Sequence, residues 1–264
     1  MSEFWKIVIL IGSVLASGSL VLAFRIKSGK TIKLLLSYSG AFILALCLFH
    51  LLPEVYEGIH NPLISGWLIL GGFLLQLLLD YISGGIEHGH IHPPDQHGHH
   101  HPGHSHSHDH HHAHSHEGND AHPVMRSPWL LMTGLCIHAL VEGVPLMYGK
   151  AGSDLFMAII FHNIPISVTL MTLFLMSGKT VRQSLFALFI FSLMTPLGAL
   201  AAVSFFPSEA DLSGQFGFWA LAFVIGIFLH ISTTILFESD EHHRFNIIKL
   251  ITILLGFATA LLIR

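Results

Sequence analysis

Apolar residues along the chain gather into eight runs of about 20 residues, separated by short polar stretches and by one long one. A helix needs about 20 consecutive apolar residues to cross a bilayer. The pattern therefore predicts eight membrane-spanning helices, at about residues 4–24, 32–52, 63–84, 128–148, 154–177, 181–206, 216–238 and 245–263. The predicted fold class is an all-α polytopic membrane protein, a bundle of eight transmembrane helices.

The long polar stretch divides the chain into three parts. Residues 1–85 hold the first three predicted spans, 86–125 form a loop, and 126–264 hold the last five. Of the 23 histidines, 16 lie within residues 86–122. Gly, Pro, Ser and Asp separate them and no apolar periodicity remains, so the loop is predicted to be disordered. Because neutral imidazole is a common ligand for zinc, the composition predicts a segment that binds metal ions.

Charged residues are few and unevenly distributed. They make up 11% of the chain, against about 25% in soluble proteins, which excludes a water-facing globular fold. The net charge of -4 gives no reason to expect a nucleic-acid partner. Nine of the 12 Lys and Arg residues lie on the side of the long loop, and such residues concentrate in cytoplasmic loops. This bias predicts a cytoplasmic loop and two outward-facing termini in a plasma membrane, the inner membrane if the source is bacterial.

Ionisable residues inside predicted spans indicate a functional site, because burying them in a membrane is costly. His138 and Glu142 in span four are four residues apart and share one helix face. His162 and Asn163 lie at a similar depth in span five. Two imidazoles and a carboxylate suit zinc, and Fe²⁺, Mn²⁺ and Cd²⁺ are also compatible with such ligands. The alternative is that the histidines only hydrogen-bond between helices.

Two prolines lie close to these residues. Pro145 and Pro165 cannot donate hydrogen bonds to the carbonyls of Val141 and Phe161. Broken helices at membrane depth are one way to build a transport site. The sequence therefore predicts kinked helices with free carbonyls beside the metal ligands.

Further polar residues mark the outer end of span two and the middle of span seven. His50 and Glu54 are a predicted entrance pair for the ion, although Glu54 could equally be a solvated helix end. His230 stands alone in span seven, which favours a structural histidine over a ligand.

The cytoplasmic side carries a second group of polar residues. Glu238, His242 and His243 could attract cations that leave the membrane, and a solvated acidic turn explains them almost as well. Gln76 and Asp80 in span three are predicted to make polar contacts between helices.

The order of several short motifs resembles the ZIP family of metal transporters. The motifs are the end of span two at His50–Glu54, HALVEG at His138–Gly143, HNIP at His162–Pro165, TPLG at Thr195–Gly198 and GIFLH at Gly226–His230. The resemblance covers the whole chain and implies the family's eight-helix bundle. It also implies a metal path between spans two, four, five and seven, with import toward the cytoplasm.

The chain departs from that family pattern at three places. Ile166 stands where many relatives carry an acidic residue, and Ala139 stands where many carry Asn. Span six, at residues 181–206, has no acidic residue. A second, bridged metal position found in some relatives is therefore predicted to be lost, which leaves a single site in the membrane.

Three other interpretations explain part of the same pattern. An exporter of another family would use several intramembrane Asp residues, and no Asp lies deep in a span here. An intramembrane zinc hydrolase could hold metal with His138, His162 and His230 and use Glu142 as base, but the chain has no His-Glu-x-x-His motif. A nontransporting metal sensor could keep the ZIP fold and lack the second metal position.

The favoured interpretation is a divalent-metal transporter, with zinc as the best-fitting ion, and not an enzyme. It predicts no catalytic cofactor, and its partners are divalent metal ions and the lipid bilayer. A homodimer is compatible with the sequence.

Overall fold

The computed structural model describes residues 2–24, 29–83, 127–148, 152–205, 212–238 and 247–263, and within them every regular element is helical. The helices are α1 (Glu3–Phe24), α2 (Gly29–Leu46), α3 (Leu52–Gly58), α4 (Pro62–Ser83), α5 (Pro128–Gly143), α6 (Gly152–Met176), α7 (Val181–Phe205), α8 (Leu212–Glu238) and α9 (Ile247–Leu262). A π-helical turn, Cys47–Leu51, joins α2 to α3, and a 3-10 turn, Val144–Met147, follows α5.

Seven helical stretches of the described residues are long and apolar enough to cross a membrane. One of them, Gly29–Gly58, combines α2, the π-helical turn and α3, and so extends past the predicted end of span two. The counterpart of the eighth predicted span is α9, an apolar helix of 16 residues, which is shorter than the usual crossing of about 20. The predicted class, an all-α polytopic membrane protein, is confirmed.

The helices pack in pairs around a buried centre. α4 packs along α8, α2 along α9, α1 along α6, and α5 along α7. α6 is the most buried of the candidate spans and touches α1, α2, α5 and α7. α4 is the least buried, and it exposes Trp67, Leu77 and Tyr81, as a lipid-facing helix does. Lipid is as apolar as leucine, so close packing and polar contacts hold such helices together.

Two glycines bring α5 and α7 into direct backbone contact. A Cβ at Gly143 would overlap the carbonyl of Thr195, and a Cβ at Gly198 would overlap the carbonyl of Leu140. Small residues at such crossings allow helix backbones to approach closely. Gly143 directly follows one of the predicted metal ligands, so this crossing lies at the candidate site.

A second reciprocal pair joins α4 to α8. A Cβ at Gly72 would overlap the carbonyl of Phe223, and one at Gly226 would overlap the carbonyl of Ile69. Residues four positions apart share a helix face. The side chains one turn further along α4 and α8, at Gln76 and His230, therefore lie on the same faces as the crossing glycines.

Candidate metal centre

The predicted metal ligands of α5 and α6 come together inside the bundle. His138, Glu142 and His162 are buried, with exposed fractions of 1%, 0% and 1%. One ligand atom from each lies within 4.8 Å of the others. The rings of His138 and His162 meet edge to face, with centroids 5.4 Å apart. Among the described residues this is the one such group of three His, Cys, Asp or Glu side chains.

Two hydrogen bonds hold one oxygen of the Glu142 carboxylate, and His138 approaches the other. The hydroxyl of Thr195 on α7 donates a hydrogen bond of 2.9 Å to its Oε1. The Asn163 amide, on α6, donates to the same oxygen at 3.3 Å. The other carboxylate oxygen of Glu142, Oε2, lies 3.3 Å from Nε2 of His138. Asn163, the fourth predicted ligand, therefore contacts the site through the carboxylate.

Several polar atoms of this cluster have no hydrogen-bond partner among the described residues. They are His138 Nε2, Glu142 Oε2, both ring nitrogens of His162 and Asn163 Oδ1. Almost all buried polar atoms in proteins are hydrogen-bonded, and leaving one without a partner costs about 1–3 kcal/mol. Imidazole and carboxylate lone pairs that converge in this way form a donor set that fits a divalent cation such as zinc.

A chain of polar contacts leads from this cluster to α4 and α8. His138 Nδ1 lies 3.1 Å from Gln76 Oε1, and Gln76 Nε2 donates to Asp80 Oδ1 at 3.0 Å. Asp80 Oδ2 lies 3.3 Å from His230 Nδ1. The predicted interhelical contacts of Gln76 and Asp80 are confirmed. The sequence favours a structural role for His230, and the Asp80 carboxylate of α4 is a neighbour that the periodicity of span seven could not reveal. The choice between a structural role and a ligand role for His230 stays a prediction.

A cavity of about 30 Å³ begins at His138 and His162 and follows α4 and α5. A water molecule needs about 10–15 Å³, so there is room for about two. Its walls reach Leu131 near the start of α5 and Ser83 at the end of α4. The family resemblance implied a path between spans two, four, five and seven. Here span three, which is α4, also lines the space.

The wall at Ile166 is apolar, as the sequence predicted. Ile166 is 4% exposed, lines the cavity and belongs to a buried cluster with Val14, Ala139 and Leu170. No acidic group can enter the site from this position. The prediction of a single intramembrane metal position agrees with this wall and stays a prediction.

The prolines do not break the helices in the predicted way. α6 runs without interruption through Pro165, and the Ser39 hydroxyl donates to the Phe161 carbonyl at 3.3 Å. The carbonyl of Val141 accepts a bond from the Val144 amide as α5 tightens into the 3-10 turn. Both carbonyls therefore have protein donors, and the expectation that they are free beside the ligands is wrong.

The predicted pair at the end of span two has a third polar residue beside it. His50 lies in the π-helical turn, and its Nδ1 is 3.2 Å from Asp154 Oδ2 in the first turn of α6. Glu54 is half-buried in the first turn of α3. The sequence reasoning missed Asp154. Its place beside His50 becomes visible only when α6 packs against this turn. The role of His50 and Glu54 as an entrance pair stays a prediction.

The remaining predicted residues are Glu238, His242 and His243. Glu238 is the last residue of α8. His242 and His243 lie outside the described residues, as does the histidine-rich segment 86–122. Their predicted roles stay predictions.

A sequence profile of the ZIP zinc transporters matches residues 5–264. The chain belongs to the ZIP zinc transporter family. It is 28% identical over 252 residues to the mouse protein zinc transporter ZIP1, an alignment that covers 87% of this chain and 76% of the relative. The ZIP assignment confirms the resemblance noted in the motifs and the predicted function, divalent-metal transport with zinc as the ion. ZIP proteins are transporters, and this is the class to which the chain was assigned from its sequence.

Proposed function

We propose that this ZIP protein imports Zn²⁺ across a plasma membrane toward the side that carries the histidine-rich segment. In this proposal His138, Glu142 and His162 bind the ion in the middle of the membrane. Asn163 orients the carboxylate. Both termini lie outside, and segment 86–122 lies in the cytoplasm.

The convergence of buried lone pairs without hydrogen-bond partners is the observation that carries the proposal. Zn²⁺ binds imidazole nitrogen and carboxylate oxygen at about 2.0–2.2 Å, so tetrahedral ligand atoms lie about 3.4 Å apart. The three ligand atoms here lie within 4.8 Å of one another. A closure of about 1.4 Å or less between the ligand atoms would therefore enclose the ion. The site would also satisfy the atoms that the folded chain leaves without donors or acceptors.

Charge supports a site that binds metal and then releases it. Glu142 is the one carboxylate in the three-residue group. Its single negative charge is smaller than the +2 charge of the ion. Conduction needs sites that bind strongly enough to admit an ion and weakly enough to let it leave. Three protein ligands also leave one tetrahedral position for water or for the next ligand along the path.

The two ends of the proposed path have different chemistry. On the outer side, His50 and Asp154 form a pair 3.2 Å apart, with Glu54 nearby in sequence, and we assign them to the entrance. On the other side, the cavity follows α4 and α5 to the residues that flank segment 84–126. Metal leaving along this cavity would meet the imidazoles of that segment, together with Glu238, His242 and His243.

Transport by the three ligands is tested with the purified full-length chain in zinc-loaded proteoliposomes. His138→Ala and His162→Ala should each lower the initial zinc flux by about tenfold or more, since each removes a ligand. His60→Ala is the matched control, because His60 is exposed between α3 and α4 and should leave the flux unchanged. Flux should also fall as the medium is acidified, because protons compete with metal for imidazole and carboxylate. Wild-type flux in both ligand variants would remove the assignment.

Direction is tested separately on intact cells. Single cysteines placed within 86–122 should resist an impermeant thiol reagent, whereas one placed at His60 should react. Ready labelling of the histidine-rich segment would reverse the proposed orientation and turn import into export.

A nontransporting metal sensor is the second candidate function, and the apolar wall at Ile166 favours it. One well-formed site with no second position could hold an ion without passing it on. Zinc binding without any flux in the same proteoliposomes would support the sensor.

A further inference from the structure

We propose that Gln76 is a positioning residue of the metal site, which fixes His138 as the tautomer protonated on Nδ1 and so presents its Nε2 lone pair to Glu142 and His162. The inference rests on the proposed metal site. It adds a residue on α4, a helix outside the path that the family resemblance implied.

The place of Gln76 in the fold is unusual for an amide. α4 is the least buried of the candidate spans, and its neighbours Leu74, Leu77 and Leu78 are about half exposed on the lipid-facing side. Gln76 itself is 5% exposed and points inward. A polar side chain within a span is costly unless its groups are paired. Both ends of this amide are paired, one with each of two different side chains.

The two partners of the amide decide its orientation. Nε2 donates to Asp80 Oδ1 at 3.0 Å, and Oε1 lies 3.1 Å from His138 Nδ1. An amide can be turned end for end at little cost unless its neighbours differ. Here the turned amide would place its oxygen against the Asp80 carboxylate, which is an acceptor when ionised. Asp80 therefore keeps Oε1 directed at His138.

An acceptor facing Nδ1 selects one form of the neutral imidazole. If Nδ1 carries the proton, it donates to Oε1. If Nδ1 carries the lone pair, two acceptors face each other at 3.1 Å. The proton on Nδ1 leaves the lone pair on Nε2. Nε2 lies 3.3 Å from Glu142 Oε2, but the two atoms are not aligned for a hydrogen bond, so a proton on Nε2 would gain no acceptor there. Metal-binding histidines commonly donate their other ring nitrogen to a fixed acceptor, which sets the tautomer and ring orientation.

Asp80 is in turn held by α8. Its second oxygen lies 3.3 Å from His230 Nδ1, and the ring of His230 packs edge to face against Phe73. The backbone contact of α4 and α8 at Gly72 holds both helices in this register. His138 is thus oriented by side chains from two other helices. Asp80 and His230 act on the site through Gln76.

The tautomer can be read by long-range ¹⁵N–¹H correlation spectra of the metal-free, full-length protein in nanodiscs, with ¹⁵N-labelled histidine. The His138 signals are assigned by their loss in His138→Asn. We expect wild-type His138 to be protonated on Nδ1. Gln76→Met removes the acceptor at similar length and should give a mixture of both tautomers. In Gln76→Glu the new carboxyl group and Asp80 would share one proton, since two carboxylates this close cannot both ionise. The other Glu oxygen still faces His138 as an acceptor and should restore the Nδ1–H form.

Zinc affinity supplies the second readout. Gln76→Met should weaken zinc binding by about tenfold or more, within the range of about 10–100-fold seen for the outer partners of metal-bound histidines. Gln76→Glu should recover most of that loss. Leu77→Met is the matched control, since it places the same side chain on the lipid-facing side of α4 and should change neither readout. In Asp80→Asn the new side chain can donate as well as accept, so the Gln76 amide should be free to turn and His138 should show both tautomers. This variant keeps the inference testable if Gln76→Met does not fold.

Two results would overturn the inference. One is wild-type His138 protonated on Nε2, and the other is an unchanged Nδ1–H signal in both Gln76→Met and Asp80→Asn. Because the spectra are recorded without metal, these results are independent of the proposed function. That function fails instead if His138→Asn binds zinc as tightly as the wild type.

Discussion

Two histidine–carboxylate pairs lie inside this bundle, and they differ although their distances are equal. His138 Nε2 and Glu142 Oε2 are 3.3 Å apart, and so are His230 Nδ1 and Asp80 Oδ2. The first pair is joined by His162 and has several lone pairs without hydrogen-bond partners among the described residues. In the second pair the Gln76 amide donates to Asp80 Oδ1, and among the described residues no third His, Cys, Asp or Glu converges on it. A metal site is therefore recognised by convergent unused donor atoms, and not by the spacing of one pair.

The sharpest test of this comparison removes one charge from each pair without changing its shape. Glu142→Gln removes the single carboxylate of the proposed site and leaves a buried amide, so zinc affinity should fall by about 100-fold or more. Asp80→Asn should cost about tenfold, because it acts only through Gln76. Calorimetric zinc titration of both proteins measures the difference. Equal losses would mean that the two pairs bind metal together as one site.

A change at Ile166 sharpens the comparison from the opposite side. Ile166→Glu adds a carboxylate to the wall that His138 and His162 share. Because ligand charge raises affinity for divalent ions, zinc should bind about tenfold more tightly, and the stoichiometry should rise from one to two intramembrane ions. Ile235→Glu provides the control, since it adds a carboxylate to the lining of the same cavity from α8. Metal analysis after exhaustive dialysis gives the count. The idea fails if the unmodified protein already holds two ions at the site.

The two glycine crossings can be mutated separately. One joins α5 to α7 beside the His138–Glu142 pair, and the other joins α4 to α8 beside the Asp80–His230 pair. Gly198→Ala places a methyl group against the Leu140 carbonyl and should separate α5 from α7, which moves Thr195 away from Glu142. Gly226→Ala should separate α4 from α8. Each overpacked crossing should cost about 1–3 kcal/mol of stability, seen as a lower unfolding temperature. Zinc affinity should fall further in Gly198→Ala, and a greater fall in Gly226→Ala would contradict the ranking of the two pairs.

The smallest expected effect concerns one hydrogen bond. Thr195→Val keeps the shape of the side chain and removes the 2.9 Å bond to Glu142 Oε1. The loss should be about 1 kcal/mol, or about fivefold in zinc affinity. Thr252→Val is the control, because the Thr252 hydroxyl on α9 donates to the backbone carbonyl of Ile248, and it should have no effect. An unchanged affinity in Thr195→Val would show that Asn163 alone orients the carboxylate.

Much of the fold follows from the sequence because the membrane imposes a length on every apolar run. The helices lie close to the predicted spans for this reason. The continuation of span two to Gly58 does not follow, because the π-helical turn that carries His50 depends on packing.

The three principal ligands could be predicted because His138 and Glu142 share a helix face and His162 lies at matching depth. The partners of these ligands could not be found in this way. Gln76 and Thr195 come from helices whose rotation about their own axes is set by the glycine crossings. Asp154 was missed because it lies close to a span end, where acidic residues are usually solvated.

The reciprocal glycines have a consequence for how this protein can change through mutation. When two side chains clash, a second mutation that shortens the partner can relieve the clash. At Gly143 and Gly198 the opposing group is a main-chain carbonyl, which every residue carries. A search for second-site suppressors of Gly198→Ala should therefore yield only reversion at residue 198, and the α5–α7 crossing should vary less among descendants of this sequence than the ligand set it supports.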